Sequence, residues 1–399
     1  MEPRPDRIVY LDNAATTRVR PEVLEAMLPY FTEHYGNPSS LYGIGRDAKK
    51  AVETARERIA KAIGSEPIEV FFTGSGTEAD NWALKGVAQA YEKKGRHLVT
   101  SAIEHHAVLH SCEALQKRGW VVTYLPVDAD GLVDPAEVEK ALRPDTVLCS
   151  IMFANNEIGT IQPIEEIGRI CRARGVLFHT DAVQAAGAVA IDMKTLPVDL
   201  CSFSAHKIGG PKGVGALYVR RGVRLPSLLD GGAQERKRRA GTENVPGIVG
   251  FGRAFELAAE EQAESAARLA AIRDAAIARV LGGIPHVRLN GHPTKRLPGN
   301  ANFSFRFIEG ESLLLLLDMH GFACSSGSAC TSGSLDPSHV LLAIGLPHEI
   351  AHGSLRVSFG KENSLDDVEP LFQALVQVVA RLREMSPLYD EYLKTEGKK

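Results

Sequence analysis

Lys207 stands where a side-chain amine could act as a nucleophile. It ends the run SFSAHK at residues 202–207, which follows an apolar stretch, and a glycine-rich turn comes after it at residues 209–213. A strand that leads into Ser-x-His-Lys and such a turn would present the amine beside two side chains that bind phosphate. This suits an enzyme in which a lysine holds pyridoxal phosphate (PLP) as a Schiff base. The competing interpretation is a solvated lysine before a turn, and this run alone does not decide between them.

Asp181 supplies a second group that such a cofactor needs. It follows a short strand predicted over residues 176–179, and a carboxylate at the carboxyl end of a parallel strand points into the ligand crevice. A carboxylate there keeps the PLP ring nitrogen protonated, which makes the ring an electron sink. The chain between Asp181 and Lys207 is long enough for one crossover to a neighbouring strand. Asp181 could instead cap a helix, but the two residues together favour the cofactor.

The turn TGSGTE at residues 73–78 lies between a predicted strand and a predicted helix. Glycines let backbone N–H groups approach an anion, and a helix N-terminus favours negative charge. The turn therefore suits the PLP phosphate. The competing interpretation is an ordinary strand-to-helix turn in which Thr77 caps the helix.

His105 and Asn156 follow two further predicted strands, in EHH at residues 104–106 and NNEIG at residues 155–159. An imidazole at this edge of the sheet could stack on the cofactor ring and move protons near neutral pH. An amide could meet an anionic oxygen. A structural histidine and a plain turn are the competing interpretations, and the first of these is favoured on local grounds.

Cys330 lies in the polar run SSGSACTSGS at residues 325–334, and it is the second distinctive feature of the chain. A cysteine among small polar residues is expected to be exposed and mobile, which is the setting of a reactive thiol. Cys324 is expected to pack inward, with a Cys324–Cys330 disulfide as a minor alternative. The remaining cysteines read as small buried hydrophobes typical of a reducing cytosol, at positions 112, 149, 171 and 201.

Arg356 is a charge inside the apolar run GSLRVSF at residues 353–359. A guanidinium grips a carboxylate through two parallel hydrogen bonds, so Arg356 could bind the carboxylate of an amino-acid substrate. A structural ion pair is the alternative.

The elements that must position these residues alternate between helix and strand from about residue 45 to 220. This pattern predicts a mostly parallel sheet between two layers of helices. After residue 246 an alanine-rich helix to about residue 281 connects to a smaller α+β domain. Predicted strands span residues 68–73, 97–101, 120–126, 147–153, 176–179, 301–307 and 354–359, and predicted helices span 48–62, 78–92, 108–117, 135–142, 164–174, 312–319 and 366–385.

Composition restricts the class of protein. The chain has 399 residues, enough for two domains, with 44% hydrophobic and 24% charged residues. A formal net charge of -3 gives no sign of nucleic acid or an anionic membrane as partner. No stretch is apolar enough to span a bilayer, and residues 1–7 lack a secretory core, so a cytoplasmic location is expected. The basic run at residues 236–239 is either a solvated loop or a contact for an anion.

Taken together, these motifs resemble the cysteine desulfurases of the NifS/IscS type, in the class V aminotransferase family. The likeness runs from YLDNAATT at residues 10–17 through Arg356, and SGSACTS around Cys330 is similar to the group I form. The resemblance implies the type I, aspartate aminotransferase-like PLP-dependent transferase fold. A large domain with a mostly parallel seven-stranded sheet would span residues 16–262. The smaller α+β domain would comprise residues 1–15 and 263–399 and carry the catalytic loop at about 324–336.

The resemblance also implies roles for individual residues. Lys207 would carry PLP as a Schiff base, and His105 would stack on the ring and act as an acid and base. Arg356 would bind the substrate carboxylate together with Asn13. The remaining implied cofactor-binding residues are Asp181 at the pyridine nitrogen, Gln184 at the phenolic oxygen, Asn156 beside cofactor and substrate, Gly76, Thr77, Ser204 and His206 at the phosphate, and Thr242 at the phosphate of a partner subunit in a homodimer.

The implied reaction is the removal of sulfur from L-cysteine. Lys207 would take the Cα proton, and the Cys330 thiolate would attack the substrate sulfur. The products would be L-alanine and a persulfide on Cys330, which passes to an iron–sulfur scaffold or a tRNA thiolation relay. The chain departs from the family where GSG at residues 74–76 replaces Ser-Gly-Ala and where Ala205 replaces a common glycine.

Two other classes stay open at this point. The first is another PLP enzyme of the same fold, such as a selenocysteine lyase or an aminotransferase, although an aminotransferase needs no thiol. The second is a non-catalytic sulfur carrier that uses Cys330 only for transfer. The sequence shows no clear metal site, and a transient iron–sulfur ligand role for Cys330 is a further open reading.

Overall fold

The computed structural model describes residues 7–326 and 337–396. Seven strands form one sheet, and five more form two small sheets. The strands are β1 (Val9–Tyr10), β2 (Val70–Thr73), β3 (His97–Ser101), β4 (Val121–Leu125), β5 (Thr146–Ser150), β6 (Leu177–Asp181), β7 (Leu200–Ser204), β8 (Gly215–Val219), β9 (Val287–Asn290), β10 (Asn300–Phe305), β11 (Phe322–Ala323) and β12 (Ser354–Ser358).

The helices range from short turns to one of 39 residues. They are α1 (Pro21–Met27), α2 (Pro29–Thr32), α3 (Gly43–Ala62), α4 (Gly76–Tyr91), α5 (His106–Gln116), α6 (Pro135–Ala141), α7 (Ile164–Ala173), α8 (Gln234–Lys237), α9 (Val245–Gly283), α10 (Gly310–Met319), α11 (His339–Ala343), α12 (His348–His352), α13 (Val368–Glu384) and α14 (Pro387–Glu396), with 3-10 turns at Pro67–Glu69, Ala205–Lys207 and Leu365–Asp367.

The large sheet confirms the predicted α/β architecture. Its strand order is β2-β8-β7-β6-β5-β3-β4. The strands β7, β6, β5, β3 and β4 pair in parallel, and β8 runs antiparallel to both of its neighbours. The carboxyl ends of β6 and β7 therefore meet at one edge, which is where a doubly wound sheet binds ligands.

Alternate side chains of each strand point to opposite faces of the sheet. Helices cover both faces. One face packs leucines such as Leu148 and Leu200 against Trp82 of α4. The other packs Phe178 and Phe203 against Phe251 and other residues of α3, α7 and α9. Strands buried on both faces read as nearly continuous apolar runs, which is why the sequence pattern identified them.

The second sheet, β12-β10-β9, is antiparallel and packs on α10 and α13. Its core includes Phe303, Leu355 and Leu375 together with Ile272 from the second half of α9. Leu11, from the start of the chain, lies in this same cluster, and β1 pairs in parallel with β11. This packing supports a division at residues 15–16 and 262–263, which stays a proposal.

Most differences between expected and observed elements concern their ends. The helix expected from residue 48 begins at Gly43, and the strand expected over 147–153 ends at Ser150. Ile151 and Phe153 continue to donate backbone hydrogen bonds to β6, at 3.1 and 2.8 Å, and they stay buried beyond the strand. In the described part of the chain, no helix combines the length and apolar character that crossing a bilayer requires.

Candidate active site

Lys207 lies in the 3-10 turn that follows β7, at the carboxyl edge of the sheet. Its Nζ donates to the carbonyl oxygens of Ala14 and Ala15, at 2.5 and 2.7 Å. The amine is half-buried and points toward the N-terminal segment. The sequence assigned no role to these two alanines, because a backbone carbonyl leaves no mark on the residue type.

Asp181 is the last residue of β6 and is 7% exposed. Its Oδ1 accepts a hydrogen bond from the Val183 N–H at 2.9 Å. Burial raises the pKa of the Asp181 carboxyl to about 6, and the nearby Lys207 amine opposes this rise. No α-helix begins at this point, so the helix-cap interpretation of Asp181 does not hold. The carboxylate and the amine belong to one site.

Gln184 joins the same site from the turn after β6. Its Nε2 donates to the Ala14 carbonyl at 2.9 Å, and this is the oxygen that also accepts from Lys207. The Ala14 backbone therefore brings the amide and the amine to one point.

The N-terminus of α4 lies against the same edge. Ser75 caps the helix by accepting the Glu78 N–H at 3.1 Å, so the interpretation of Thr77 as the cap is wrong. Thr77 is exposed in the first turn. A Cβ added to Gly76 would lie 2.8 Å from Val183 Cγ2 and 3.3 Å from Ser204 Cβ, so only glycine fits there. First-turn N–H groups have no partner within their own helix, which makes this a site for a phosphate.

His206 lies beside Lys207 in the 3-10 turn. Its Nδ1 is 3.1 Å from the Thr16 hydroxyl, and its carbonyl accepts from the Thr17 hydroxyl at 2.9 Å. Burial, reinforced by the positive charge of Lys207, lowers the pKa of His206 to about 4. The imidazole is therefore neutral at pH 7. Thr16 and Thr17 form part of the motif at residues 10–17, but no role was predicted for either of them.

His105 immediately precedes α5 and caps it. Its Nδ1 accepts from the Ala107 N–H at 3.1 Å, which places the proton of the neutral ring on Nε2. Burial and the charge of Lys207 lower the pKa of His105 to about 4. The structural role expected of a lone histidine is therefore present, and the charge of Lys207 acts on the same ring.

Arg356 is almost fully buried in β12, with 2% of its surface exposed. Its guanidinium forms an ion pair with Asp12 at 2.6 Å and donates to the Asn156 carbonyl at 3.1 Å. The ion pair that the sequence left as an alternative therefore exists. Asn13 donates to the Ser358 carbonyl at 2.9 Å, and its amide lies against Gly360. The N-terminal segment, β12 and the loop after β5 thus meet at the guanidinium.

Cys330 lies outside the described residues, but both flanks of its segment are anchored at this place. On one side, Arg356 N–H donates to the Ser325 carbonyl at 2.6 Å. On the other, the Ser338 hydroxyl donates to Glu157 at 2.5 Å. Both contacts lie next to Asn156: Arg356 donates to the Asn156 carbonyl, and Glu157 is the next residue in the chain. Ser325 and Ser338, one on each side of the run that contains Cys330, therefore both lie beside the candidate site.

Thr242 is exposed and lines a cavity of about 180 Å³ together with Thr73, Gly74 and Arg239. Arg239 forms a two-point ion pair with Glu78 of α4, at 2.8 and 3.0 Å. Within one chain, Thr242 lies near the start of α4 and lines this cavity, which Lys207 does not line.

The basic run at residues 236–239 is not a freely solvated loop. The guanidinium of Arg236 lies 5.4 Å from the ring centre of Phe71, and that of Arg238 lies 5.1 Å from it. Glu235, just before the run, is buried and pairs with Arg56 through two contacts of 2.8 Å. Within a single chain, these contacts hold the segment against the rest of the fold.

The donor set fits PLP. Four groups converge at the strand ends: an amine, a carboxylate, a neutral imidazole and an amide. Burial raises the pKa of the carboxylate to about 6. The N-terminus of α4 offers backbone N–H groups to a phosphate, and glycine at position 76 keeps that space open. Among residues 7–326 and 337–396, no group of three His, Cys, Asp or Glu side chains is placed to hold a metal ion. Cys324 is a free thiol packed against the second core, as expected.

The comparisons with known proteins define the class. The chain matches the aminotransferase class-V family over residues 9–371, and it belongs to this family. It is 58% identical to the cysteine desulfurase IscS of Methanosarcina thermophila over 390 residues, which cover 98% of this chain and 96% of that protein. It is 55% identical to the cysteine desulfurase IscS of Clostridium botulinum over 393 residues, with 98% and 99% covered.

Solved structures agree with the fold. A NifS-like protein superposes with a TM-score of 0.88 at 42% identity, and the match covers 94% of this chain and 100% of that one. SspA, solved in complex with cysteine, superposes with a TM-score of 0.78 at 37% identity, covering 88% and 98%. The predicted fold class and the predicted family are both confirmed.

Proposed function

We propose that the protein is a PLP-dependent cysteine desulfurase. It removes sulfur from L-cysteine, releases L-alanine and leaves a persulfide on Cys330. The observation that carries this proposal is the meeting of Lys207, Gln184 and Asp181 at one edge of the sheet, with both flanks of the Cys330 segment anchored beside them. The names of the relatives support the same activity.

The residues that would hold PLP come from four elements. Lys207 would bind its aldehyde carbon, Asp181 its ring nitrogen and Gln184 its phenolic oxygen. The phosphate would lie at the start of α4, where Gly76 lies close to Ser204, and Thr77 and His206 would complete its site. When bound, PLP supplies an electron sink that stabilises negative charge at the Cα of an amino acid.

Proton transfer falls to Lys207 and His105. The Lys207 amine lies at the carboxyl edge of the sheet and would move the Cα proton. His105 holds its proton on Nε2, because Nδ1 accepts from the Ala107 N–H. A neutral ring that donates from Nε2 can pack on an aromatic face and assist the transfer.

The substrate carboxylate would meet Arg356, with Asn13 and Asn156 beside it. Arg356 is already held in place by Asp12 and by the Asn156 carbonyl. A guanidinium with a fixed orientation loses little freedom when it binds a carboxylate. The same group therefore stabilises the fold and orients the substrate.

Sulfur transfer requires the thiolate of Cys330. A new S–S bond forms as the substrate C–S bond breaks, and the electron pair of that bond leaves with carbon, which is protonated and released as L-alanine. The contacts of Ser325 and Ser338, on either side of the run that contains Cys330, support attack by this thiol on the substrate sulfur and later delivery of the persulfide to an acceptor.

The acceptor and the assembly are part of the same proposal. The sulfur would pass to an iron–sulfur scaffold or a sulfur relay protein in the cytoplasm. The enzyme would be a homodimer in which Thr242 of each chain serves the cofactor phosphate of the other. Thr242 supports this, because it is exposed and is separate from the Lys207 group within one chain.

The test combines a spectrum with product analysis. The purified protein should show the visible absorbance of lysine-bound PLP, and added L-cysteine should give L-alanine and, with a reductant, sulfide. Cys330→Ala should bind PLP and form no persulfide, whereas Cys324→Ala, a packed thiol six positions earlier, should form it. Alanine and sulfide at the normal rate from Cys330→Ala would overturn the assignment of the nucleophile.

Lysine variants test the cofactor link in the same way. Lys207→Ala should lose the visible band, and Lys212→Ala, an exposed lysine in the following turn, should keep it. A colourless wild-type protein that passes sulfur between thiols would instead indicate a non-catalytic carrier. Faster turnover of L-selenocysteine in both wild type and Cys330→Ala would indicate a selenocysteine lyase.

A further inference from the structure

A row of buried polar side chains crosses the large sheet beneath α4. On this face three strands carry a leucine that is followed by polar groups: Leu148 then Ser150 on β5, Leu177 then His179 and Asp181 on β6, and Leu200 then Ser202 on β7. Ser150 lies beside His179 in the strand register, and Asp181 lies beside Ser202. Burying polar groups costs free energy unless they are hydrogen-bonded, so the bonding of this row is informative.

His179 lies at the centre of the row and is fully buried. Its Nδ1 is 2.8 Å from the Ser150 hydroxyl, and its Nε2 is 3.0 Å from the Ser202 hydroxyl. Burial lowers the pKa of His179 to about 3, so the ring is neutral. A neutral imidazole donates from one nitrogen and accepts at the other, and the two serines must therefore play opposite roles.

Asp80 reaches this row from α4, the helix whose N-terminus faces the proposed phosphate site. It is 1% exposed, and its Oδ1 lies 3.6 Å from His179 Nε2. Within residues 7–326 and 337–396, this oxygen has no hydrogen-bond partner. The Ser202 hydroxyl, 3.0 Å from His179 Nε2, is the one neighbour that lowers the pKa of the Asp80 carboxyl, against the larger effect of burial. An acidic group so deep in the sheet would be costly as an anion.

We propose that Asp80 is a positioning residue that stays a neutral carboxylic acid and, through Ser202 and His179, leaves Asp181 as the single anion below the cofactor ring. This inference rests on the proposed function, because it concerns how Asp181 meets the cofactor. It adds a role for Asp80, Ser202, His179 and Ser150, none of which was assigned from the sequence.

The hydrogen bonds of the row permit two directions. With the Asp80 O–H turned to Ser202, the Ser202 O–H donates to His179 Nε2 and His179 Nδ1–H donates to Ser150. In the reverse direction Ser202 donates to Asp80, and a carboxylic acid accepts that bond at its carbonyl oxygen while it keeps its own proton. Two neighbouring carboxylates in a dry layer do not both ionise, since each charge raises the pKa of the other.

The surroundings decide which carboxyl keeps the proton. Asp181 receives the Val183 N–H and the field of the Lys207 amine, both of which favour its anion. Asp80 has only the Ser202 hydroxyl, and it faces Asp181 from β6 and Glu104 from the loop after β3. Burial and these two carboxyls raise the pKa of Asp80 well above its usual value. The proton therefore belongs to Asp80.

Infrared spectroscopy of the full-length protein, with and without added PLP, detects such a proton directly. A carboxylic acid has a C=O stretching band apart from those of carboxylates, and it shifts in D2O. We expect this band to persist at about pH 9, above the pKa of about 8 of buried Glu104. Asp80→Asn should remove it, and Glu104→Gln should keep it. A wild-type spectrum without the band, or a band that survives in Asp80→Asn, would overturn the proposal.

The pH dependence of PLP affinity gives a second readout, since its midpoint reports the protonation of Asp181. Asn keeps an N–H donor toward Ser202, so Asp80→Asn should shift this midpoint by less than about 0.3 unit. If Asp80 were an anion, its removal would lower the midpoint by about one unit or more. Asp80→Leu places an apolar side chain beside Ser202 and His179, which keep only each other and Ser150 as partners, and its PLP affinity should be about tenfold below that of Asp80→Asn. Equal affinities would show that Asp80 does not position this row.

These measurements separate the inference from the proposed function. A protein that passes both tests but gives no alanine or sulfide from L-cysteine would refute the desulfurase and leave Asp80 assigned. A desulfurase that lacks the infrared band would do the opposite. Thermal unfolding of each variant shows that any change in affinity belongs to a folded protein.

Discussion

Gln184 and Lys207 donate to the same acceptor, the carbonyl oxygen of Ala14, at 2.9 and 2.5 Å. Ala14 belongs to the N-terminal segment, whereas the two donors follow β6 and β7. A carbonyl oxygen has two lone pairs, so it can accept both bonds at once. The N-terminal segment therefore sets the spacing of the amide and the amine before any cofactor binds.

Removing the amide should weaken this arrangement. Gln184→Leu loses one hydrogen bond to Ala14 and the proposed bond to the PLP phenolic oxygen. We expect PLP to bind about fivefold more weakly, which corresponds to about 1 kcal/mol for one net hydrogen bond. The visible band should also shift, because the charge near the phenolic oxygen changes. Fluorescence titration of the cofactor-free protein with PLP measures the affinity.

Gln262 provides a matched control for this variant. It also donates from Nε2 to an alanine carbonyl, that of Ala188, at 3.1 Å, and it is also half-buried. Gln262→Leu should leave the PLP affinity and the visible band unchanged. An equal loss of affinity in both variants would show that the effect is one of general stability.

The sequence predicted Lys207 and Asp181 because each ends a strand in a polar run. Strand ends are visible in a sequence as a change from apolar to polar residues, and parallel strands bring those ends to one edge. The same reasoning failed for Ala14 and Ala15. Their role lies in backbone carbonyls, and only the tertiary fold places the start of the chain against residue 207.

The cap of α4 and the role of Asp80 show two further limits. Ser75 and Thr77 are both good cap residues, and the helix begins earlier than expected because glycine is tolerated at its first position. Asp80 stands inside the amphipathic pattern of α4 and reads as a polar surface residue. Its burial follows from polar residues on β6 and β7 that the pattern of one helix does not contain.

Arg356 offers a test of substrate binding and fold stability together. Arg356→Lys keeps a positive charge but loses the planar fork that holds Asp12 and the Asn156 carbonyl. We expect KM for L-cysteine to rise about tenfold or more. The free energy of unfolding should fall by about 3 kcal/mol, as for other disrupted buried ion pairs. Steady-state kinetics and denaturant unfolding measure these two quantities.

The exposed pair of Arg279 and Glu369 serves as the comparison, with a similar contact of 2.8 Å. Arg279→Lys should leave the unfolding free energy close to that of wild type, since exposed pairs contribute little. Its KM should equal that of wild type. If Arg356→Lys lost stability while keeping its KM, the guanidinium would be structural only.

The buried carboxyl of Asp181 predicts a pH-dependent cost in the cofactor-free protein. Folding raises its pKa from 3.8 to about 6, so the folded state binds the proton more tightly than the unfolded state. Stability from this group is full below about pH 4 and is lost as the pH rises through 6. The neutral variant Asp181→Asn avoids the loss. It should unfold with a free energy about 3 kcal/mol higher than wild type at pH 8 and similar to wild type at pH 4.

Urea unfolding at both pH values tests this expectation. Asp192→Asn is the control, because this residue lies on the surface side of the turn before β7 and its carboxyl bonds the Lys194 N–H. It should show no gain at pH 8. A loss of stability in Asp181→Asn at pH 8 would mean that the anion is stabilised in the folded protein, and the proposed strain at the site would be wrong.

Glu235 controls the segment that leads to Thr242. Glu235, Arg236 and Lys237 all adopt left-handed backbone angles, with φ of 44°, 59° and 66°. Such angles are unfavourable for residues other than glycine and persist only where contacts enforce them. Glu235 supplies the contacts, because its carboxylate accepts two bonds from Arg56 at 2.8 Å and one from the Phe72 N–H at 2.9 Å.

Glu235→Ala should therefore release the segment and leave the Arg56 guanidinium buried and short of a partner. We expect the free energy of unfolding to fall by about 3 to 5 kcal/mol. Glu53→Ala is the matched control, since Glu53 contacts the same guanidinium at 3.2 Å but with 46% of its side chain exposed. That variant should lose less than about 1 kcal/mol. Similar losses in the two variants would show that buried Glu235 stabilises the fold no more than exposed Glu53 does. Its role in keeping residues 235–237 in their left-handed conformation would then be wrong.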